Sequence, residues 1–274
     1  MHFITFSREM GTNGTKIARQ VAEKLNYRLI DTEAIDNKAR EMGFLESVEK
    51  ADEKPPSLFQ RFFSHKPSIN LDRLSSVIYE LAEEGNAVFI GRGGQMLLKS
   101  FNCALHVRAI ASRQTRIKNL VERGYTQDAA LKEIERSDQE KSGFIKFAFG
   151  VNWEEPSHYD IILNMDKLSV NLAVDTVLTL ANSSEIKACK LDSLESLGKL
   201  ALAHKAEAAL TESGVSYGLA TSVTVSVVEP GKVQLTGVVE DKKSKIRAEE
   251  VLKMVKGVES INNQIRVQPE DRHA

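Results

Sequence analysis

At 274 residues, with 42% hydrophobic and 27% charged residues, the chain has ordinary globular composition and enough length for more than one core. A formal net charge of -1, with both signs interspersed, excludes a general affinity for nucleic acid or an anionic membrane, so any basic site is local. Charge arrives at Arg8 and Glu9, too soon for a signal peptide, and no apolar run reaches the ~18 residues that span a bilayer, so no transmembrane segment is expected and the expected compartment is the cytoplasm. Cys103 and Cys189 lie far apart with no CxxC pattern and read as reduced thiols.

From residue 1 to about 181, short apolar runs alternate with amphipathic stretches, the pattern of a parallel sheet covered by helices on both faces. Phe3-Ile4-Thr5-Phe6 is the first strand, and Ile17, Ala18, Val21, Ala22 and Leu25 give the helix after it one apolar face. Tyr27 to Ile30, Ala87 to Ile90, Ala104 to Val107 and Asp160 to Leu163 read as further strands, which makes five. The polar stretch from Gly43 to about Asn86, with Pro55-Pro56 and a helix from Leu71 to Glu84, reads as an insertion over one edge of the site.

Between the first strand and its helix lies Ser7-Arg8-Glu9-Met10-Gly11-Thr12-Asn13-Gly14-Thr15-Lys16. A glycine-bearing turn that feeds a helix aims backbone N–H groups and the positive helix end at a phosphate. The pattern GxxxxGK[ST] is not met: with Thr15 at the magnesium-binding hydroxyl, Gly14 holds the place of the phosphate lysine and Lys16 comes one residue late. One residue turns a helix by about 100°, so Lys16 does not replace that lysine.

Ser7-Arg8-Glu9 with Gly11-Thr12-Asn13-Gly14 and Ile17-Ala18 resembles the opening of the cytidylate kinase-like family. The turn Ile90-Gly91-Arg92-Gly93-Gly94, the strands Leu105-His106-Val107-Arg108 and Tyr159 to Asn164, and the lid run Arg136-Ser137-Asp138-Gln139-Glu140-Lys141 resemble later parts of the same family, over about residues 1 to 181. The resemblance implies an α/β fold of the P-loop nucleoside-monophosphate-kinase kind, with a parallel five-stranded sheet of order 2-3-1-4-5 and nucleotides at the carboxyl ends of the strands. It implies ATP and Mg2+, with Arg8, Gly11, Thr12, Asn13, Gly14, Thr15 and Lys16 around the donor phosphates and Thr15 as metal ligand. Arg92 would hold the acceptor's phosphate, CMP or dCMP, while Arg136 and Lys141 stabilise the transferring group and Asp138 orients them. Lys141 stands where the family carries an arginine, which removes the bidentate fork. Arg113, Arg116, Arg123, Arg136 and Lys141 lie among Glu122, Glu133, Glu135 and Glu140, a mixture that usually forms a solvated face with weak ion pairs; this is the reading preferred for Arg113 and Arg116, and the rival one for Arg136. Trp153 matches a tryptophan at the lid's end and is expected to pack. The histidines are scattered, with no i+4 pair and no nearby acidic triad, and none is expected to be catalytic.

After Leu180 the texture changes, and residues 182–192 read as a linker between a domain over 1–181 and another over 193–268. A helix from Leu197 to Leu210, strands Thr221 to Val228 and Lys232 to Val239 around Glu229-Pro230-Gly231, a helix from Lys242 to Lys256 and a strand from Ile261 to Val267 give the order αββαβ. Gly231 to Val239 and Val255 to Asn263 resemble the BON domain, which implies partner binding or oligomerisation and no active site. Two functions stand against each other: a nucleoside monophosphate kinase, and an inactive nucleotide sensor whose BON-like module binds a partner.

Overall fold

The computed structural model describes residues 3–44, 67–186, 191–215 and 222–268, and Pro55-Pro56, His2, His65 and His273 lie outside them. Phe3 to Ser7 are all buried, as a central parallel strand between two helical layers requires. Strand β1 (Phe3–Arg8) pairs in parallel with β3 (Ala87–Ile90) on one side and β4 (Ala104–Ile110) on the other. Strands β2 (Arg28–Ile30) and β5 (Ile161–Asn164) form the edges, and the observed order β2-β3-β1-β4-β5 is the order expected.

Helix α1 (Gly14–Leu25) buries Ile17, Ala18, Val21 and Ala22, the face that its three-and-four spacing predicts. These side chains pack with Ile4, Phe6, Leu105 and Val107 of the sheet and with Val174 and Val177 of α7 (Val170–Ala181) in one core. The element order between them is α2 (Thr32–Glu41), α3 (Pro67–Glu83), the short α4 (Gly94–Leu97), α5 (Arg113–Val121) and α6 (Gln127–Phe149). Cys103 is disulfide-bonded, which corrects the expectation of a reduced thiol there, and Cys189 lies outside the described residues.

The chain forms two compact units, one of Met1–Ala34 with Glu84–Lys190 and one of Ile35–Glu83 with Leu191–Ala274. Helix α3, which belongs to the stretch expected as an insertion over one edge of the site, packs along α8 (Leu191–Glu212). Its apolar positions Ile69, Leu74, Val77, Ile78, Leu81 and Ala82 are all buried, a hydrophobic face that needs a partner. In the same unit β6 (Ser222–Glu229) and β7 (Lys232–Val239) form an antiparallel hairpin, and α9 (Lys242–Lys253) closes its face. The expected last strand is two, β8 (Ser260–Asn263) and β9 (Arg266–Val267), both parallel to β7. The break falls at Gln264, whose N–H still donates to Leu235. No helix among the described residues is long and apolar enough to cross a membrane.

Candidate active site

The loop between β1 and α1 is shaped by close approach. Gly11 has φ +86°, and a Cβ there would lie 2.6 Å from the carbonyl oxygen of Arg116. A Cβ at Gly14 would lie 2.6 Å from Cβ of Arg8, so both glycines are required by space. Thr12 staples the loop internally: its hydroxyl donates to Glu9 O at 2.8 Å and accepts from Gly14 N at 3.3 Å. Asn13 adopts a left-handed conformation, and its side-chain oxygen accepts from Arg123 instead of capping α1. Asn13 therefore caps no amide of α1, although the first of them, Gly14 N, is held by Thr12.

Helix α5 grips the loop from the other side. Arg116 Nε donates to Met10 O at 2.7 Å, and Asn119 Nδ2 donates to Gly11 O at 2.7 Å. The Arg116 guanidinium also pairs with Asp138 of α6 at 2.6 Å and with Glu9 at 3.5 Å, while Arg108 approaches Glu9 at 3.4 Å. Arg116 and Arg108 are only 7% and 3% exposed, so the expected solvated face is corrected for Arg116. A buried charge needs a buried counter-charge, and Glu9 serves two arginines at once. Arg113, by contrast, is exposed and pairs with Glu135 as a solvated residue does. Beneath the network Trp153 is buried, as expected, with Nε1 donating to Ser7 Oγ at 2.7 Å and its ring 4.4 Å from the Arg108 guanidinium.

These elements enclose a cavity of about 70 Å³ lined by Arg8, Glu9, Met10, Gly11, Asn13, Gly14, Thr15, Arg123 and Lys141, with the Glu9 carboxylate turned to Arg108 and Arg116. Arg8 Nε donates to Thr15 Oγ1 at 3.3 Å, and the Arg8 guanidinium reaches so close to the turn after β3 that a Cβ on Gly91 would lie 2.7 Å from it. Lys141 Nζ donates to Ser137 Oγ at 2.7 Å. Among the described residues, no carboxylate forms an ion pair with Arg8 or Lys141. Burial lowers Arg8 to about 10. Burial and then the Arg8 charge lower Lys141 to about 8, against the opposing pull of Asp138 and Glu9.

The structure thus brings together Arg8, Gly11, Asn13, Gly14, Thr15 and Lys141, with Thr12 holding the loop from within. It does not bring Arg136, which is exposed on α6 and paired with Glu133 and Glu140 of the same helix. Positions 136 and 141 are five residues apart, about 140° around a helix, so one pocket does not receive both. Lys16 is exposed and outside the cavity lining. Arg92 adopts φ +57° in the turn after β3 and donates to Thr32 Oγ1 at 2.9 Å. Arg108 and Arg116 were missed as parts of the site. The signal available was a charged residue inside an otherwise apolar strand for Arg108, and for Arg116 none that separates it from its neighbours.

The cavity suits an anion: cations, a helix start that the Asn13 side chain does not cap, and glycines that leave the backbone open. It does not suit a divalent cation held by the chain alone. The Thr15 hydroxyl, expected as a metal ligand, accepts from Arg8, and Glu9 is engaged by Arg108, Arg116 and the Ala111 amide. Asp138 Oδ1, a buried oxygen without a hydrogen-bond partner, belongs to a residue that does not line the cavity.

A five-stranded parallel sheet of this order, with a glycine-bearing loop between β1 and α1, is a fold of the P-loop kinase-like class. Residues 3–167 match the cytidylate kinase-like family, and the chain belongs to that family, one of nucleotide kinases. Residues 201–269 match the BON domain. A curated protein from Methanocaldococcus jannaschii named cytidylate kinase is 31% identical over 180 residues, covering 61% of this chain and 90% of its own. Another cytidylate kinase, from Pyrobaculum calidifontis, is 23% identical over 68% of this chain and 98% of its own. Among solved structures, an uncharacterised protein from Eubacterium ventriosum superposes with a TM-score of 0.53 at 25% identity, over 66% of this chain and 98% of its own.

Proposed function

We propose that the N-terminal unit transfers the γ-phosphoryl group of ATP to a nucleoside monophosphate, with CMP or dCMP as the acceptor. The observation that carries this reading is the pair of sheltered cations, Arg8 and Lys141, at one small cavity with no carboxylate paired to either. Such a pair is unfavourable in the ligand-free protein, and a polyphosphate relieves it. Arg8 supplies the charge that the missing loop lysine would have supplied. The N-terminal amides of α1 and Lys141 meet the transferring group, which carries its negative charge on the equatorial oxygens.

In the reaction an unprotonated phosphate oxygen of the acceptor forms a bond to the γ-phosphorus as the bond to the β-bridging oxygen breaks. ADP and a nucleoside diphosphate leave. Arg8 lies between the donor loop and the Gly91-Arg92-Gly93 turn, so it is placed to neutralise both phosphates as they approach, with Arg92 on the acceptor side. Mg2+ enters in this reading as the nucleotide's own counter-ion, and no step is assigned to it. The BON module contributes binding and no chemistry, and light scattering on the full-length protein tells self-association from an external partner.

The test is ADP release with ATP and each of CMP, dCMP, UMP and AMP, for the wild type and Arg8→Met. Turnover that requires one of the cytidine monophosphates and disappears in a variant of unchanged melting temperature is the expected result. No turnover with any acceptor, while ATP still raises the melting temperature, would replace the kinase by a nucleotide sensor.

A further inference from the structure

We propose that Asp72, His204 and Glu207 form a binding site for one divalent transition-metal ion, with Zn2+ the ion whose geometry they suit. The three residues lie in the second unit, on two helices that pack side by side, and none of them lines the nucleotide cavity. His204 and Glu207 are three apart on α8 and so share one face, and Asp72 meets them from α3. His204 Nδ1 lies 3.0 Å from Asp72 Oδ1 and 3.3 Å from Glu207 Oε2, and all three ligand atoms lie within 4.8 Å of one another.

The two separations to Nδ1 are close to those of a coordination sphere. Zinc bonds of ~2.0–2.2 Å to nitrogen and oxygen arranged as a tetrahedron place adjacent ligand atoms about 3.3–3.6 Å apart. The two histidine-to-carboxylate separations reach that range with shifts of a few tenths of an ångström, and the two carboxylates, already within 4.8 Å of each other, close on the ion as it enters. The ring is also held in place: Tyr79 of α3, itself buried, stacks on it at 5.8 Å and 18°, which keeps Nδ1 turned to the two carboxylates. The side chains of Asp72, His204 and Glu207 are 21%, 27% and 32% exposed, so an ion has a way in, and water fills the fourth position. One imidazole with two carboxylates and no thiolate favours Zn2+ and its first-row neighbours over soft ions such as Cu+. On binding, the Nδ1 proton leaves to solvent and the neutral ring coordinates. The ion then ties α3 to α8, the two helices that connect the inserted stretch to the C-terminal module.

The measurement is Co2+ titration of full-length, untagged protein freed of metal by chelator, read by visible absorption and by metal content. The expected result is one ion per chain, with the intense d–d absorption of four-coordinate Co2+ and displacement by Zn2+. His204→Gln, Asp72→Asn and the more exposed Glu207→Gln should each weaken binding by at least tenfold, while Glu229→Gln, a surface carboxylate elsewhere, leaves it unchanged. Absence of stoichiometric binding in the wild type, or binding that survives Glu207→Gln and His204→Gln, would overturn the site and leave the triad as an interhelical ion pair.

Discussion

Arg8 and Lys141 carry opposite consequences for folding and for binding. Each holds a charge in a sheltered place with no carboxylate partner among the described residues, so each is a burden on the free protein and an asset to an anion. Arg8→Met is therefore predicted to leave the melting temperature unchanged or raise it, and to weaken ATP binding by more than tenfold in calorimetry. Lys141 adds a pH dependence. Its folded value, about 8, lies below its ordinary 10.5, so the folded state is penalised below about pH 8 and the penalty is relieved between about 8 and 10.5. Stability of the ligand-free protein should rise over that window through this group, and ATP affinity should fall as pH passes 8, because the bound anion needs the charged form. In Lys141→Met both slopes should flatten. The lid run was legible in the sequence as a cation-bearing helix. Which cation faces inward follows from its angle relative to Ser137, Asp138 and Phe144, and that selects Lys141 over Arg136.

At the scale of elements, the strands and α1 were legible because burial on both faces leaves apolar runs that little else produces. The grip of α5 on the loop was not legible, since Arg116 differs from Arg113 only in what it meets after folding. That grip sets the tolerance of the loop. Gly11→Ala combines a left-handed φ with a 2.6 Å approach to the Arg116 carbonyl, and is predicted to destabilise by at least ~1 kcal/mol, read as a lower midpoint in urea. Gly237 plays the same part in the hairpin of the second unit, where a Cβ would lie 1.8 Å from Ser222 O. Gly237→Ala should therefore melt that unit while the N-terminal unit still binds ATP.

On the scale of the whole chain, the αββαβ order of the C-terminal module was readable from alternation and turns, but the allegiance of α3 was not. Its apolar face is plain in the sequence, yet nothing local says whether that face meets the parallel sheet or a helix more than a hundred residues later. Because it packs on α8, a chain cut at residue 181 is predicted to expose the face of Ile69, Leu74, Ile78 and Leu81. Self-association or a lowered melting transition of that fragment, compared with the full chain by light scattering and calorimetry, checks this. The claim on which the account turns is that the donor phosphates sit on Arg8 and Lys141. Isothermal titration of ATP into the wild type, Arg8→Met, Lys141→Met and Arg136→Ala tests it directly. The account predicts losses above tenfold in the first two variants and a change below about twofold in Arg136→Ala, whose surface pairs are worth only ~0.5 kcal/mol. Undiminished binding in Arg8→Met together with a loss in Arg136→Ala would contradict it.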